Sequence, residues 1–144
     1  VYTRQCYDRS QAFMPTRVFL PGRMKRYQEV SRQIMNIFDS FSPLVEQLSV
    51  DEAFLDISGM ELLAGSERDI GFKVKRSIKE KTGLTASVGI APNKFLAKLA
   101  SDMQKPDGLV VIRAEEAEGM LKPMSVRRIL ELGAVLKKVC CSLA

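Results

Sequence analysis

Residues 49–58 read Ser49-Val50-Asp51-Glu52-Ala53-Phe54-Leu55-Asp56-Ile57-Ser58. Taken with the preceding Leu44-Val45-Glu46-Gln47-Leu48, the stretch is rich in β-forming residues with polar interruptions, which predicts two short strands, about 44–48 and 53–57, folded back on each other. The acidic pair Asp51-Glu52 then falls at or beside the turn. Neighbours in a regular strand point to opposite faces, so two adjacent carboxylates converge on one ion only where the chain bends or beyond the strand end. The turn provides that geometry. Magnesium takes hard oxygen ligands, uses only one or two carboxylates, and completes its octahedron with water and substrate phosphates. Asp51 and Glu52 are therefore candidate metal ligands, although surface turns usually carry charge, so that the acidic pair alone is weak evidence against a solvated turn.

Outward from this hairpin the periodicity changes. Tyr27, Val30, Ile34, Ile37, Phe38 and Phe41 recur at helical spacing and predict an amphipathic helix over 25–41, ending before Pro43. Ser66 followed by Asp69 forms a capping box for a helix over 67–82, with Gly83 placed to end it in a left-handed conformation. The run 84–91 is short, small and apolar, which predicts a buried strand. Asn93 caps a helix over 93–104 whose Phe95, Leu96, Leu99, Ala100 and Met103 share a face, and Pro106 stops it. Residues 109–112 predict a brief strand and 115–121 a short helix before Pro123. This order predicts an α+β fold of ferredoxin-like type, an antiparallel or mixed sheet covered on one face by helices.

Lys105 precedes Pro106, and proline disfavours helical geometry in the residue before it, so Lys105 should project from an element end. There it can meet phosphate as a compact point charge. Lys94 and Lys98, four residues apart on the polar side of the same helix, read instead as a solvated face. No glycine-rich phosphate loop of Walker type is present, so any phosphate grip rests on metal and isolated lysines.

Composition narrows the chemistry further. The 144 residues are 46% apolar and 27% charged, enough for one domain with a core. There is no histidine, which excludes Ser-His and Cys-His nucleophilic mechanisms. Cys6, Cys140 and Cys141 are an odd number at the two extremities, a poor basis for a disulfide scaffold or a zinc site. A net charge of +5 mildly favours a polyanionic partner. No apolar run approaches the roughly 20 residues that span a bilayer, so a soluble, cytoplasmic protein with no membrane partner is expected.

Three segments together resemble one family. Residues 49–58 look like the Y-family DNA polymerase motif Ser-x-Asp-Glu-Ala-aromatic-Leu-Asp. Residues 87–108, Ser-Val-Gly-Ile-Ala-Pro-Asn-Lys-Phe-Leu-Ala-Lys-Leu-Ala-Ser-Asp-Met-Gln-Lys-Pro-Asp-Gly, are similar to the family's second signature, and residues 20–31, Leu-Pro-Gly-Arg-Met-Lys-Arg-Tyr-Gln-Glu-Val-Ser, to the segment before its palm helix. The resemblance, closest to the DNA polymerase IV-like branch, runs from about Leu20 to Ser125. It implies a polymerase palm that adds deoxynucleotides past damaged bases with two magnesium ions, Asp51 and Glu52 being catalytic metal ligands and Lys105 the contact to the incoming deoxynucleoside triphosphate. Asp56 is implied to be structural. Primer-template DNA is the implied partner, and the sliding clamp that full-length members use has no recognisable motif here.

The resemblance divides the chain into a divergent segment 1–20, a possible remnant of the fingers, a palm over 21–125, and a divergent helix over 126–144 in place of a thumb. The family's third metal-binding aspartate, on a more N-terminal strand, has no counterpart; Asp8 lacks the apolar strand around it, and Tyr2 and Arg4 do not align with the fingers without insertions. The palm is thus expected to be incomplete and the isolated chain inactive. The alternative is a non-catalytic remnant that binds nucleic acid weakly through its charge. A nucleotidyl cyclase palm would need a glycine-rich acidic turn where Ser49 to Glu52 stand.

Overall fold

The structure is a computed structural model, which describes residues 21–60 and 65–124. Expectations for 1–20 and 126–144, including Tyr2, Arg4, Asp8 and the three cysteines, lie outside the described residues. The elements in order are α1 (Met24–Asp39), β1 (Val45–Gln47), β2 (Ala53–Leu55), α2 (Glu67–Thr82), β3 (Val88–Ile90), α3 (Lys94–Met103), β4 (Leu109–Val111) and α4 (Ala114–Leu121). The α+β reading holds, and each element expected between residues 25 and 121 is present within a few residues of its expected bounds. The run 84–91 contributes only Val88–Ile90 to a strand.

The strands form two ladders among the described residues. β1 and β2 pair antiparallel with Val45 opposite Leu55 and Gln47 opposite Ala53. β3 and β4 pair parallel, Val88 opposite Leu109 and Ile90 opposite Val111, with α3 as the crossover between them. One sheet was expected; instead each ladder takes its cover from different helices. α1 packs against β1 and α2, while α2 and α3 both pack against β3 and β4.

Local chemistry sets the helix limits. Ser66 Oγ accepts from the Asp69 backbone N–H at 3.3 Å, and the Asp69 carboxylate accepts from the Ser66 N–H at 3.0 Å, so two orphan donors of α2 are satisfied reciprocally. At the other end Gly83 adopts φ 73°, and its N–H donates to the Lys79 carbonyl. Asn93 Oδ1 accepts from the Leu96 N–H at 2.9 Å and caps α3 as its side-chain type predicts.

The α1 stripe meets α2 through Ile37, Val74 and Ile78, all buried, with Ile34, Phe38, Phe41 and Ala86 packed around them. Tyr27, at the start of the same stripe, is half exposed, so burial begins one turn later than the period suggests. A second buried group, Ile70, Leu96, Leu99, Ala100, Leu109 and Ile112, joins α2 and α3 to the parallel ladder. Two glycines make this packing possible. A Cβ on Gly71 of α2 would stand 2.6 Å from a Leu109 methyl, and one on Gly89 of β3 would stand 2.1 Å from the Ala97 carbonyl oxygen and 2.4 Å from the Ser101 nitrogen. The second contact is with helix backbone, which cannot yield as a side chain can.

Gly89→Ala should therefore cost about 3 kcal/mol, whereas Gly22→Ala, whose Cβ meets nothing within 4 Å, should stay within about 0.5 kcal/mol. Chemical denaturation of the two variants measures the difference, and equal stabilities would contradict this packing.

The α2 cap has a pH signature. The Ser66 hydroxyl, then the Ser66 N–H, hydrogen-bond the Asp69 carboxylate and hold its pKa below the usual 3.8. A depressed folded pKa gives stability that is complete above the unfolded value and is lost as pH falls through the folded one. Between about pH 5 and about pH 2 the thermal midpoint should fall less for Asp69→Asn, which accepts the same hydrogen bond without titrating, than for the natural chain.

Candidate metal and nucleotide site

The hairpin turn is tied at its base by backbone. Glu52 O accepts from the N–H groups of Leu48 at 2.9 Å and Ser49 at 3.1 Å, closing the turn that carries Asp51 and Glu52. Ser49 Oγ donates to Asp51 Oδ1 at 2.7 Å, which ties the Asp51 carboxylate back to the start of the turn. Gln47 Nε2 donates to Ser31 Oγ of α1 at 3.2 Å and to the Ser49 carbonyl at 2.9 Å, so the hairpin end is anchored to the helix behind it. Asp56 does a different job. Its Oδ1 accepts from the Ser58 N–H at 2.9 Å and its carbonyl accepts from the buried Ser42 hydroxyl at 2.5 Å, the contacts of a residue that shapes a turn.

Glu52 points toward α3. Its carboxylate is ion-paired with Lys98, whose side chain is only 14% exposed against 35% for Glu52. One turn along α3, Asp102 Oδ2 lies 3.6 Å from the Lys98 ammonium, and Asp102 Oδ1 lies 2.6 Å from Lys105 Nζ. Glu52, Lys98, Asp102 and Lys105 thus form a continuous chain of alternating charge from the hairpin turn to the loop after α3. Partial burial would lower the Lys98 pKa, but the hydrogen bond to Glu52 and the charges of Asp102 and Glu52 outweigh it and raise the pKa above its ordinary value. For Asp102 burial acts to raise the carboxyl pKa, and the Lys105 hydrogen bond with the charge of Lys98 overcomes it, leaving the pKa lowered.

The solvated-face reading of Lys98 is wrong, because the polar side of α3 is not turned to open water there but to the hairpin. For its neighbour the reading is nearer the mark. Lys94 is 62% exposed, pairs with Glu46 of β1, and stands 5.8 Å from the centre of the Phe54 ring.

Lys105 leaves the helix as Pro106 requires: α3 ends at Met103, and the chain turns back on the helix end. A Cβ on Gly108 would lie 2.2 Å from the Gln104 carbonyl oxygen, so the loop can close only with glycine there. Lys75 of α2 holds this loop from the other side. Its ammonium, on a side chain 14% exposed, donates to the Asp107 carbonyl, to the Gly108 carbonyl at 3.1 Å, and to Asp107 Oδ1 at 3.0 Å. Nothing local in the sequence marks Lys75, because its partners lie 32 and 33 positions away. Lys98 and Asp102 did carry a signal, opposite charges at i and i+4 with Lys105 three residues further on.

Asp51 and Glu52 offer oxygen donors of the kind magnesium takes, adjacent on one turn. The residues fit such an ion in type, while among the described residues no group of three or more Asp, Glu, Cys or His converges on one point. No described helix is long and apolar enough to cross a membrane.

Comparison with known proteins agrees with the motifs. The family model described as impB/mucB/samB matches residues 4–102, more than half of the chain. DNA polymerase IV of Treponema denticola is 45% identical over 119 residues, which are 83% of this chain and 30% of that protein. DNA polymerase IV of Shewanella baltica is 47% identical over 129 residues, 90% of this chain and 36% of the relative. The chain spans about a third of the length of these curated relatives. Among solved structures, a DinB family error-prone DNA polymerase from Sulfolobus solfataricus superposes with a TM-score of 0.86 at 32% identity, over 100% of this chain and 44% of that one. The insertion ternary complex of Dbh DNA polymerase gives 0.83 at 32% identity, over 100% of this chain and 42% of that one. By the family match and by a fold shared with these polymerases, the chain belongs to the impB/mucB/samB family of Y-family DNA polymerases.

Proposed function

We propose that this chain is the palm portion of a translesion DNA polymerase, and that Asp51, Glu52 and Lys105 are its site residues for template-directed nucleotidyl transfer. The observation that carries the reading is the charge chain from Glu52 through Lys98 and Asp102 to Lys105, which sets an acidic turn and an exposed lysine on one side of the fold. Support for the substrates comes from relatives named as DNA polymerases and from a neighbour solved as a ternary complex.

In this reading Asp51 and Glu52 hold magnesium, which when bound supplies positive charge to the primer hydroxyl and to the phosphates of the deoxynucleoside triphosphate. The Ser49 hydroxyl orients the Asp51 carboxylate, and the backbone contacts of the turn keep both acids at the strand end. Lys105, about half exposed at the end of its helix, meets the triphosphate, while Lys75 holds the loop that presents it. Primer-template DNA is gripped mainly through its phosphates, which the positive charge of the chain favours.

Two carboxylates and one lysine provide less charge than a triphosphate with two divalent ions requires, so the isolated 144-residue chain should bind nucleotide weakly and extend no primer. Fused to the remaining two thirds of a DNA polymerase IV, it should extend primers on a damaged template with magnesium. There Asp51→Asn or Glu52→Gln should lower extension by on the order of a hundredfold or more while leaving DNA binding intact. Lys105→Ala should chiefly raise KM for the nucleotide, by about tenfold. Full extension by the Asp51→Asn fusion would refute the assignment, and a fusion that binds DNA but never extends would favour a non-catalytic remnant.

A further inference from the structure

Lys98 is held in a way that a simple surface ion pair does not need. Its ammonium is largely withdrawn from solvent between two carboxylates on different elements, paired with Glu52 of the hairpin turn and 3.6 Å from Asp102 Oδ2 on its own helix. Asp102 offers this second oxygen without giving up its other partner, because Lys105 takes Oδ1. An ammonium on a four-carbon stem has three donors and several rotamers, so a rotation about side-chain bonds carries it from one acceptor to the other with no change in backbone.

We propose that Lys98 is an internal counter-cation for Glu52. It occupies the carboxylate while no divalent ion is bound and passes to Asp102 when one binds, so that Lys98 competes with the metal and Asp102 relieves the competition. This rests on the assignment of Glu52 as a metal ligand. Lys98 is a positioning residue in this scheme and touches neither nucleotide nor DNA. The physical argument is the cost of isolated charge. A partly buried carboxylate is unfavourable without a cation, and a lysine withdrawn from water is unfavourable without an anion. With Glu52 and Asp102 both in reach, neither state leaves an uncompensated group. A divalent ion beside Glu52 repels the ammonium, and Asp102 is the acceptor already aimed at it.

The test is Mn²⁺ binding to the 144-residue chain, followed by the electron paramagnetic resonance signal of the free ion, with circular dichroism to check folding. Lys98→Gln should tighten binding by about fivefold, the scale of one partly buried ion pair. Asp102→Asn, which leaves Lys98 with Glu52 alone, should weaken it by about threefold. The double variant should match Lys98→Gln, because Asp102 acts only through Lys98. Unchanged or weaker binding by folded Lys98→Gln overturns the proposal, and so do additive effects, which would show only a general electrostatic field. Should Lys98→Gln fail to fold, the Asp102→Asn arm decides, with unchanged or tighter binding overturning it. Absence of any Mn²⁺ binding sensitive to Asp51→Asn and Glu52→Gln would overturn both this proposal and the site assignment it rests on.

Discussion

The close approach of α3 to β3 at Gly89 is the constraint on which the arrangement of charges depends. Helix backbone lies where the first side-chain atom of residue 89 would stand, so the strand and helix sit nearer than any other residue would permit. That contact fixes how far α3 leans over the ladder. From it follow the burial of Leu96, Leu99 and Ala100 beneath the helix and the direction in which its polar side faces. Lys94 and Lys98 consequently meet Glu46 and Glu52 of the hairpin, although the hairpin and the parallel ladder share no backbone pairing.

The ion pairs differ in what they contribute. Arg26–Glu29, Arg76–Glu80 and Lys122–Glu118 join side chains that are all more than half exposed, and such pairs add at most a few tenths of a kcal/mol to about 1 kcal/mol. Lys98 and Lys75 are withdrawn from solvent and each satisfies more than one acceptor, Lys98 on the hairpin turn and on its own helix, Lys75 on the loop after α3. Their value lies less in net stability than in geometry, since a buried ammonium without its partners is costly. Lys98 ties the acidic turn to α3, and Lys75 ties the loop after α3 to α2. Between them, the two candidate halves of the site are referenced to the same pair of helices.

Much of the fold was legible because its signals are local. The Ser66–Asp69 box, Gly83, Asn93 and Pro106 set helix ends through contacts within a few residues, and the hairpin is announced by β-forming residues around a polar turn. The mixed pairing was harder. Three-residue strands carry little periodicity, and nothing in residues 53–57 or 88–90 says whether the two runs pair with each other. Helical period likewise separates the apolar from the polar side of α3 without saying whether the polar side meets water or another element, which is why Lys98 looked solvated.

The sequence by itself determined the element order, the caps, the turn that carries Asp51 and Glu52, the release of Lys105 from its helix, and, through three ordered motifs, the family. Each of these depends on neighbours along the chain or on residue types that a pattern can match. Only the tertiary structure decided that Glu52 is met by Lys98 across 46 positions, that Asp102 links that lysine to Lys105, and that Lys75 holds the loop from a separate helix. Those contacts arise from how closely helix and strand backbones approach, a distance that Gly71, Gly89 and Gly108 permit but that no local pattern of residues specifies.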